Sequence, residues 1–100
     1  MLTFEEIKEK VFSIARSHGV DEVYLFGSYA RNEATEKSDI DMLIKPGKIK
    51  TLVHLISFLE DMEFSTLGKG KVDILTVDQL EDSSILKGEI DKDKILLYRK

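Results

Sequence analysis

The sequence predicts a single α/β domain over residues 1–100, built around one small sheet. Helical and strand periodicities alternate along the chain, and one hundred residues is a usual length for one domain. Hydrophobic residues make up 42% and charged residues 34% of the chain, which is an ordinary globular balance. The periodicities alone leave the relative direction of the strands open.

The first half of the chain is predicted to form a helix at about 4–18, a strand at 20–26, a short helix at 28–31 and a polar loop at 32–38. Thr3 and Glu6 make a capping box, and apolar residues recur at helical spacing after it. Gly19 is a natural C-terminal stop for that helix. β-Branched and aromatic residues bounded by glycines then favour the first strand.

The second half is predicted to form a strand at 40–44, a helix at about 50–63, a glycine-punctuated loop at 67–70, a strand at 72–76 and helical pieces over 78–90. Those pieces are expected to be interrupted near Gly88, and residues 95–98 fit either a last strand or the end of a helix. The long helix carries an apolar stripe at helical spacing, which is assigned to the core. The stripe consists of Leu52, Leu55, Ile56, Leu59 and Met62.

Composition excludes several kinds of site. Cysteine is absent, which rules out disulfides and thiolate metal sites. His18 and His54 are far apart in sequence, which argues against a multi-histidine zinc site. His18 is assigned to the end of a helix, where it interacts favourably with the helix dipole, and His54 is assigned to the surface. Any bound metal is therefore expected to be a hard cation with oxygen ligands.

The charge and hydropathy of the chain also limit the classes of partner it is expected to bind. The net charge of -4 argues against direct nucleic-acid binding, which usually needs a basic surface. The chain has no run of about 18 apolar residues and no signal-peptide pattern. We therefore expect no membrane partner and a cytoplasmic location.

Two aspartates one residue apart stand at the start of an apolar strand. Asp39 and Asp41 point to the same face of such a strand, with Cα atoms about 6–7 Å apart, whereas Ile40 points to the core. Paired carboxylates repel each other, and divalent cations that bind between them remove this penalty. Asp73 interrupts another apolar strand and would complete the site if the two strands are neighbours.

The Gly27-Ser28 pair after the first strand fits a phosphate site. Glycine allows close backbone approach, a helix that starts there directs N–H groups at an anion, and the serine hydroxyl can donate another hydrogen bond. Tyr29 is assigned to packing, and residues 68–70 to a turn because they lack P-loop spacing. Carboxylates for a metal and a glycine turn for phosphates together indicate nucleoside triphosphate chemistry.

In chain order the motifs are Gly27-Ser28, Ala30-Arg31, Ser38-Asp39-Ile40-Asp41 and Val72-Asp73. This ordered set resembles the minimal nucleotidyltransferase family of the DNA polymerase beta-like superfamily, over about residues 5–98. The resemblance implies a small mixed β-sheet with helices packed on it, the polymerase beta palm-like fold. Asn32 stands where the family often has glycine, and asparagine tolerates left-handed backbone conformations better than most residues.

The resemblance also implies a role for each matching position. The implied catalytic residues and ligands of two Mg²⁺ ions are Asp39, Asp41 and Asp73. The implied nucleotide-binding residues are Gly27, Ser28 and Arg31. An acceptor hydroxyl would attack the α-phosphate of ATP, pyrophosphate would leave, and the third aspartate would be a candidate proton acceptor.

The partner implied by the resemblance is a HEPN-domain toxin, a ribonuclease silenced when AMP is transferred to one of its tyrosines. The chain would then be the antitoxin, and the acceptor site would come from another protein or from a second copy in a homo-oligomer. Two alternatives stay open. One is a catalytically silent module that neutralises its partner by occlusion, and the other is a nucleotidyltransferase acting on a small molecule or an RNA end.

Overall fold

The computed structural model describes residues 2–65 and 71–100, so the loop predicted at 67–70 lies outside the described residues. The elements follow in the order α1 Phe4–His18, β1 Glu22–Phe26, α2 Gly27–Ala30, β2 Ile40–Lys45, α3 Leu52–Ser65, β3 Val72–Thr76, α4 Val77–Glu81, α5 Ser84–Asp93 and β4 Ile95–Arg99. In this part of the chain, no helix is long and apolar enough to cross a membrane.

The described strands form one mixed sheet in the order β3-β2-β1-β4. β1 pairs antiparallel with β2 and with β4, whereas β2 and β3 pair in parallel. The connection between the two parallel strands contains α3, because parallel neighbours need a crossover rather than a hairpin. The small mixed sheet with packed helices is therefore confirmed.

The first helix begins and ends where the sequence predicts. The Thr3 hydroxyl accepts a hydrogen bond from the Glu6 N–H, and the Glu6 carboxylate accepts one from the Thr3 N–H. Gly19 follows the helix with φ +74°, the left-handed conformation that glycine adopts without strain. The apolar face between these caps is buried through Ile7, Val11 and Ala15.

The two faces of the sheet are covered by different helices. α1 and α3 pack on one face and form the main core with alternate strand residues, among them Val23, Leu25, Ile40 and Met42. α4 and α5 cover part of the opposite face through a smaller cluster that contains Leu43, Leu80 and Ile90. The aspartates of β2 and β3 lie on this second face, because side chains alternate along a strand.

The apolar stripe of α3 enters the core only in part, which corrects the prediction. Phe58 and Met62 are fully buried and lie one turn apart on the inward side. Leu52 and Ile56 instead keep 71% and 44% of their surface exposed. Helical periodicity locates an apolar face but not the arc of it that meets the sheet, and here that arc is centred on Phe58.

The C-terminal third differs from the prediction at Gly88, which lies inside α5 and does not interrupt it. The break falls at 82–83, where the Ser83 hydroxyl accepts a hydrogen bond from the Leu86 N–H and caps α5. A Cβ added at Gly88 would meet no atom within 4 Å, so this helix surface is open. Residues 95–98 belong to strand β4, which decides between the two predicted possibilities.

His18 and His54 are neighbours in the fold although they are far apart in sequence. His18 Nδ1 lies 3.1 Å from His54 Nε2, and His18 Nε2 lies 2.6 Å from Asp61 Oδ2. The rings of His18 and Phe58 also pack edge to face. His54 is therefore partly buried in a link between α1 and α3, and its assignment to the surface is wrong.

Candidate active site

The three predicted carboxylates come from two neighbouring strands. Asp39 immediately precedes β2, and Asp41 is the second residue of that strand. In the parallel ladder Asp41 is the register partner of Asp73 in β3. Adjacent strands lie about 4.8 Å apart, so the two residues start from adjacent positions on the same face. The structure thus brings Asp73 beside Asp41, as the sequence argument required.

The carboxylates differ in their exposure. Asp39 and Asp73 are exposed, while Asp41 is partly buried between them and the glycine turn after β1. Burial and the negative charges of Asp73 and Asp39 raise the pKa of Asp41 to about 6, and Arg31 lowers it in part. Loss of solvation and nearby like charges both disfavour the ionised form of a carboxyl group.

The glycine turn packs directly against the middle carboxylate. Phe26, the last residue of β1, pairs with Asp41 across the antiparallel ladder, and Gly27 follows it with φ +74°. A Cβ at Gly27 would overlap Oδ2 of Asp41. Glycine is therefore required here for two reasons: the positive φ and the close approach of the backbone to the carboxylate.

The turn continues into α2, which is only four residues long. Ser28 is partly buried in it, and its carbonyl accepts a hydrogen bond from the Glu33 N–H, which closes the loop behind the helix. A helix this short supplies the N–H groups of one turn and little macrodipole, so the predicted dipole contribution is smaller than a full helix would give. Asn32 has φ +59°, a left-handed conformation that asparagine tolerates better than most residues.

Arg31 lies at the end of α2 and is held by two carboxylates. Its Nε donates to Glu33 Oε1 at 3.0 Å, and its Nη1 donates to Asp93 Oδ2 at 3.3 Å. The charge of Arg31 reaches Asp41, whose pKa it lowers. Asp93 belongs to α5, and its contact with Arg31 spans 62 positions, so no local sequence signal could have identified it.

Tyr29 packs against the main core, in agreement with its predicted structural role. Its hydroxyl is buried and has no hydrogen-bond partner among the described residues. The ring also lines a small cavity with Leu25 and Asn32. Tyr29 therefore supports the turn by packing.

The donor set fits a hard divalent cation. Three neighbouring carboxylates offer only oxygen ligands, and a cation would offset the burial and the like-charge repulsion that together raise the pKa of Asp41. Within residues 2–65 and 71–100, no three acidic or histidine side chains already converge into a metal-binding group. Because Asp39 and Asp73 are exposed, their side chains can rotate toward Asp41 without repacking the core.

Comparison with known families decides the class of the protein. The family described as polymerase beta, nucleotidyltransferase matches residues 9–100. The chain belongs to the polymerase beta nucleotidyltransferase family. It is a nucleotidyltransferase, and the mixed sheet described above is also found in a solved structure of the same kind.

Two relatives are similar over most of their length. A protein of Methanocaldococcus jannaschii, provisionally named a protein adenylyltransferase, is 43% identical over 79 residues, which are 79% of this chain and 83% of the relative. The protein adenylyltransferase MntA of Thermococcus cleftensis is 38% identical over 96 residues, which are 88% of this chain and 86% of the relative. Both likenesses cover most of the chain rather than one motif.

Solved structures share the fold. One provisionally described as a minimal nucleotidyltransferase has a TM-score of 0.75 at 29% identity and covers 94% of this chain and 95% of its own. A toxin–antitoxin structure with AMP-PNP has a TM-score of 0.74 at 18% identity, with 93% and 73% covered. A tri-AMPylated HEPN toxin from Shewanella oneidensis in complex with its MNT antitoxin gives a TM-score of 0.68 at 16% identity, with 96% and 72% covered.

Proposed function

We propose that this nucleotidyltransferase transfers AMP from ATP to a tyrosine hydroxyl of a HEPN toxin, depends on Mg²⁺, and acts as the antitoxin of that partner. The observation that carries the proposal is the register of Asp41 with Asp73 beside the turn at Gly27. This register brings two carboxylates and the glycine turn together on one face of the sheet.

Each part of the site has a role in the proposal. Asp39, Asp41 and Asp73 hold two Mg²⁺ ions, which supply Lewis-acid stabilisation of the phosphate charge when bound. The backbone N–H groups at Gly27 and Ser28 and the serine hydroxyl bind the β- and γ-phosphates. Arg31 neutralises phosphate charge after its guanidinium exchanges Glu33 or Asp93 for the nucleotide. Before the nucleotide binds, those two carboxylates hold the Arg31 guanidinium in place.

The chemical step is a substitution at the α-phosphorus of ATP. The tyrosine oxygen forms a bond to that phosphorus, and the bond between the phosphorus and the oxygen that bridges to the β-phosphate breaks. Pyrophosphate leaves with the electron pair, and the phenolic proton passes to the carboxylate of Asp73 and then to water. General-base assistance of this kind contributes about 10²- to 10⁴-fold to a rate.

The choice of a protein as the acceptor is supported by the relatives. Two of them are named protein adenylyltransferases, and an AMPylated HEPN toxin is bound to an antitoxin of the same fold. The acidic balance of the chain disfavours an RNA end as acceptor, because anionic substrates need cationic surface.

Purified protein incubated with α-labelled ATP, Mg²⁺ and the HEPN protein encoded beside it tests the proposal. We expect label on the HEPN protein, mapped by mass spectrometry to a tyrosine, and none with the Asp39→Ala, Asp41→Ala double variant. Equal suppression of the toxin by the double variant without ATP would favour occlusion instead. Label on an RNA end or a small molecule, and none on the HEPN protein, would show that the acceptor is not a protein.

A further inference from the structure

An apolar groove runs between the outer side of α3 and the open edge of β3. We name it the α3–β3 groove; its walls include Leu52, Ile56 and Leu59 of the helix and Val72, Asp73 and Ile74 of the strand. Its volume is about 330 Å³, at the small end of the range for ligand pockets. The helix residues that the core leaves exposed thus form one wall of a concave surface.

The groove is continuous with the candidate active site. Asp73 lines the groove and is also the register partner of Asp41. A molecule lying in the groove therefore runs along the edge strand that carries a carboxylate of the proposed site on its other face. An apolar surface that merely faced solvent would have no such connection, and large exposed apolar surfaces usually mark interaction sites.

The edge of β3 can pair with another strand. β3 is the outer strand of the sheet, next to β2 only, among the described residues. The Ile40 N–H donates to the carbonyl of Lys71, so alternate residues from Lys71 onward direct their main-chain groups toward β2. The main-chain groups of Val72 and Ile74 consequently face the open edge, where an incoming strand can bond to them.

Resting on the proposed function, we propose that the α3–β3 groove binds an extended segment of the acceptor protein, which adds to the sheet as a strand beside β3. Side chains alternate along that strand as they do along β3. The hydroxyl residue lies level with Asp73 on the face of the carboxylates. The residues immediately before and after it lie on the opposite face, level with Val72 and Ile74, and insert large apolar side chains into the groove.

The charges of the groove fit a peptide better than an anionic acceptor. Glu63 and Asp73 line it together with a single cation, Lys71, among the described residues. A nucleic-acid strand laid along the groove would bring phosphates against these carboxylates, which is unfavourable. A neutral or basic peptide with apolar flanking residues matches both the charge and the surface. A second copy of this chain is the other possible occupant, and the test distinguishes it.

Steady-state transfer to the HEPN protein provides the first arm of the test. Ile56→Ser removes apolar surface from the groove, whereas Val53→Ser removes it from an α3 position that is 78% exposed and outside the groove. We expect Ile56→Ser to raise the KM for the acceptor about tenfold with the KM for ATP unchanged, and Val53→Ser to change neither. Circular dichroism confirms that both variants fold. If the two variants behave alike while the wild type transfers AMP, the groove proposal is overturned and the proposed function stands.

The second part of the test measures amide hydrogen exchange and does not depend on enzyme activity. The probes are synthetic peptides with a Leu-Tyr-Leu or a Ser-Tyr-Ser centre in the same basic flanks. We expect the leucine peptide to slow exchange of the Val72 and Ile74 amides and the serine peptide to leave it unchanged. No protection at saturating peptide overturns the proposal, whether or not AMP transfer occurs. Protection that rises with protein concentration in the absence of peptide, with a dimer in sedimentation, assigns the groove to a second copy and also overturns it.

Discussion

Asp41 and Asp73 are register partners on adjacent parallel strands, and the turn at Gly27 packs against the first of them. The pairing depends on the crossover that lays β3 beside β2, so residues 32 positions apart in sequence share one face of the sheet. A partly buried carboxylate between two exposed ones, next to an open backbone turn, is arranged for cation and phosphate binding rather than for stability.

Replacing Asp73 by asparagine tests its part in the chemical step. Asp73→Asn keeps the size of the side chain but removes the proposed proton acceptor and a metal ligand. We expect kcat for AMP transfer to fall at least about a hundredfold. The thermal midpoint should stay close to that of the wild type because the side chain is exposed. Asp78→Asn, another exposed aspartate outside the site, is the matched control and should keep its activity.

Two glycine-to-alanine substitutions compare a glycine that the turn requires with a glycine inside a helix. Gly27→Ala forces a Cβ into Oδ2 of Asp41 at a positive φ, so we expect a loss of about 1–3 kcal/mol in the free energy of unfolding and loss of activity. Gly88→Ala adds a methyl group to open helix surface and should stabilise by about 0.5–1 kcal/mol. Urea unfolding and transfer assays measure both. A destabilised Gly88→Ala, or a stable and active Gly27→Ala, would contradict the assigned packing.

The raised pKa of Asp41 predicts a pH-dependent stability of the metal-free protein. The folded pKa is about 6 and the ordinary value is 3.8, so the folded state binds more protons than the unfolded state between these values. Stability is therefore greatest below about pH 4 as far as this group is concerned, and it falls as the pH rises through 6. Above pH 7 the ionised carboxylate is a net cost to folding.

Asp41→Asn should remove that cost. Because the carboxylate is partly solvated, we expect the variant to be more stable than the wild type by only about 1–2 kcal/mol at pH 8 in EDTA. At pH 4 the difference should vanish, and AMP transfer should be lost at both pH values. Asp82→Asn, at an exposed position outside the site, serves as the control and should show no such change with pH. A wild type that is more stable than Asp41→Asn at pH 8 without metal would refute the proposed repulsion.

Arginine substitutions test whether Arg31 contacts the nucleotide. Arg31→Ala removes a guanidinium near Asp41. Because a charged hydrogen bond to phosphate contributes about 1.5–3 kcal/mol, we expect the KM for ATP to rise roughly tenfold or more. Arg99→Ala breaks a comparable exposed ion pair, with Glu22, that lies at the other end of β1. The second variant should leave both kinetic constants unchanged. Equal effects of the two would assign Arg31 to its ion pairs with Glu33 and Asp93 alone.

Local chemistry in the sequence was enough to predict most of the fold. The capping box at Thr3, the stop at Gly19 and the period of two around Ile40 each depend on near neighbours, and each prediction holds. Gly88 was misread because glycine lowers helix propensity by only about 1 kcal/mol, which the cap at Ser83 and the packing of Ile90 outweigh.

The candidate site was predictable only where residues carry their own chemical pattern. Asp39 and Asp41 are two residues apart at the start of β2, so the alternation of strand residues alone predicts that they share a face. The ion pair between Arg31 and Asp93, and the arc of α3 that stays exposed, depend on how distant elements pack. Periodicity contains no information about that packing, and for this reason the stripe with Ile56 was assigned to the core.

Transfer from two differently labelled ATP molecules tests the central claim most directly. Purified protein, Mg²⁺ and the HEPN partner are incubated with α-labelled or γ-labelled ATP, beside the Asp41→Asn variant. We expect the α label to appear on the partner, the γ label to leave with pyrophosphate, and the variant to transfer neither. The γ label on the partner, or full silencing of the toxin with neither label transferred, would contradict it.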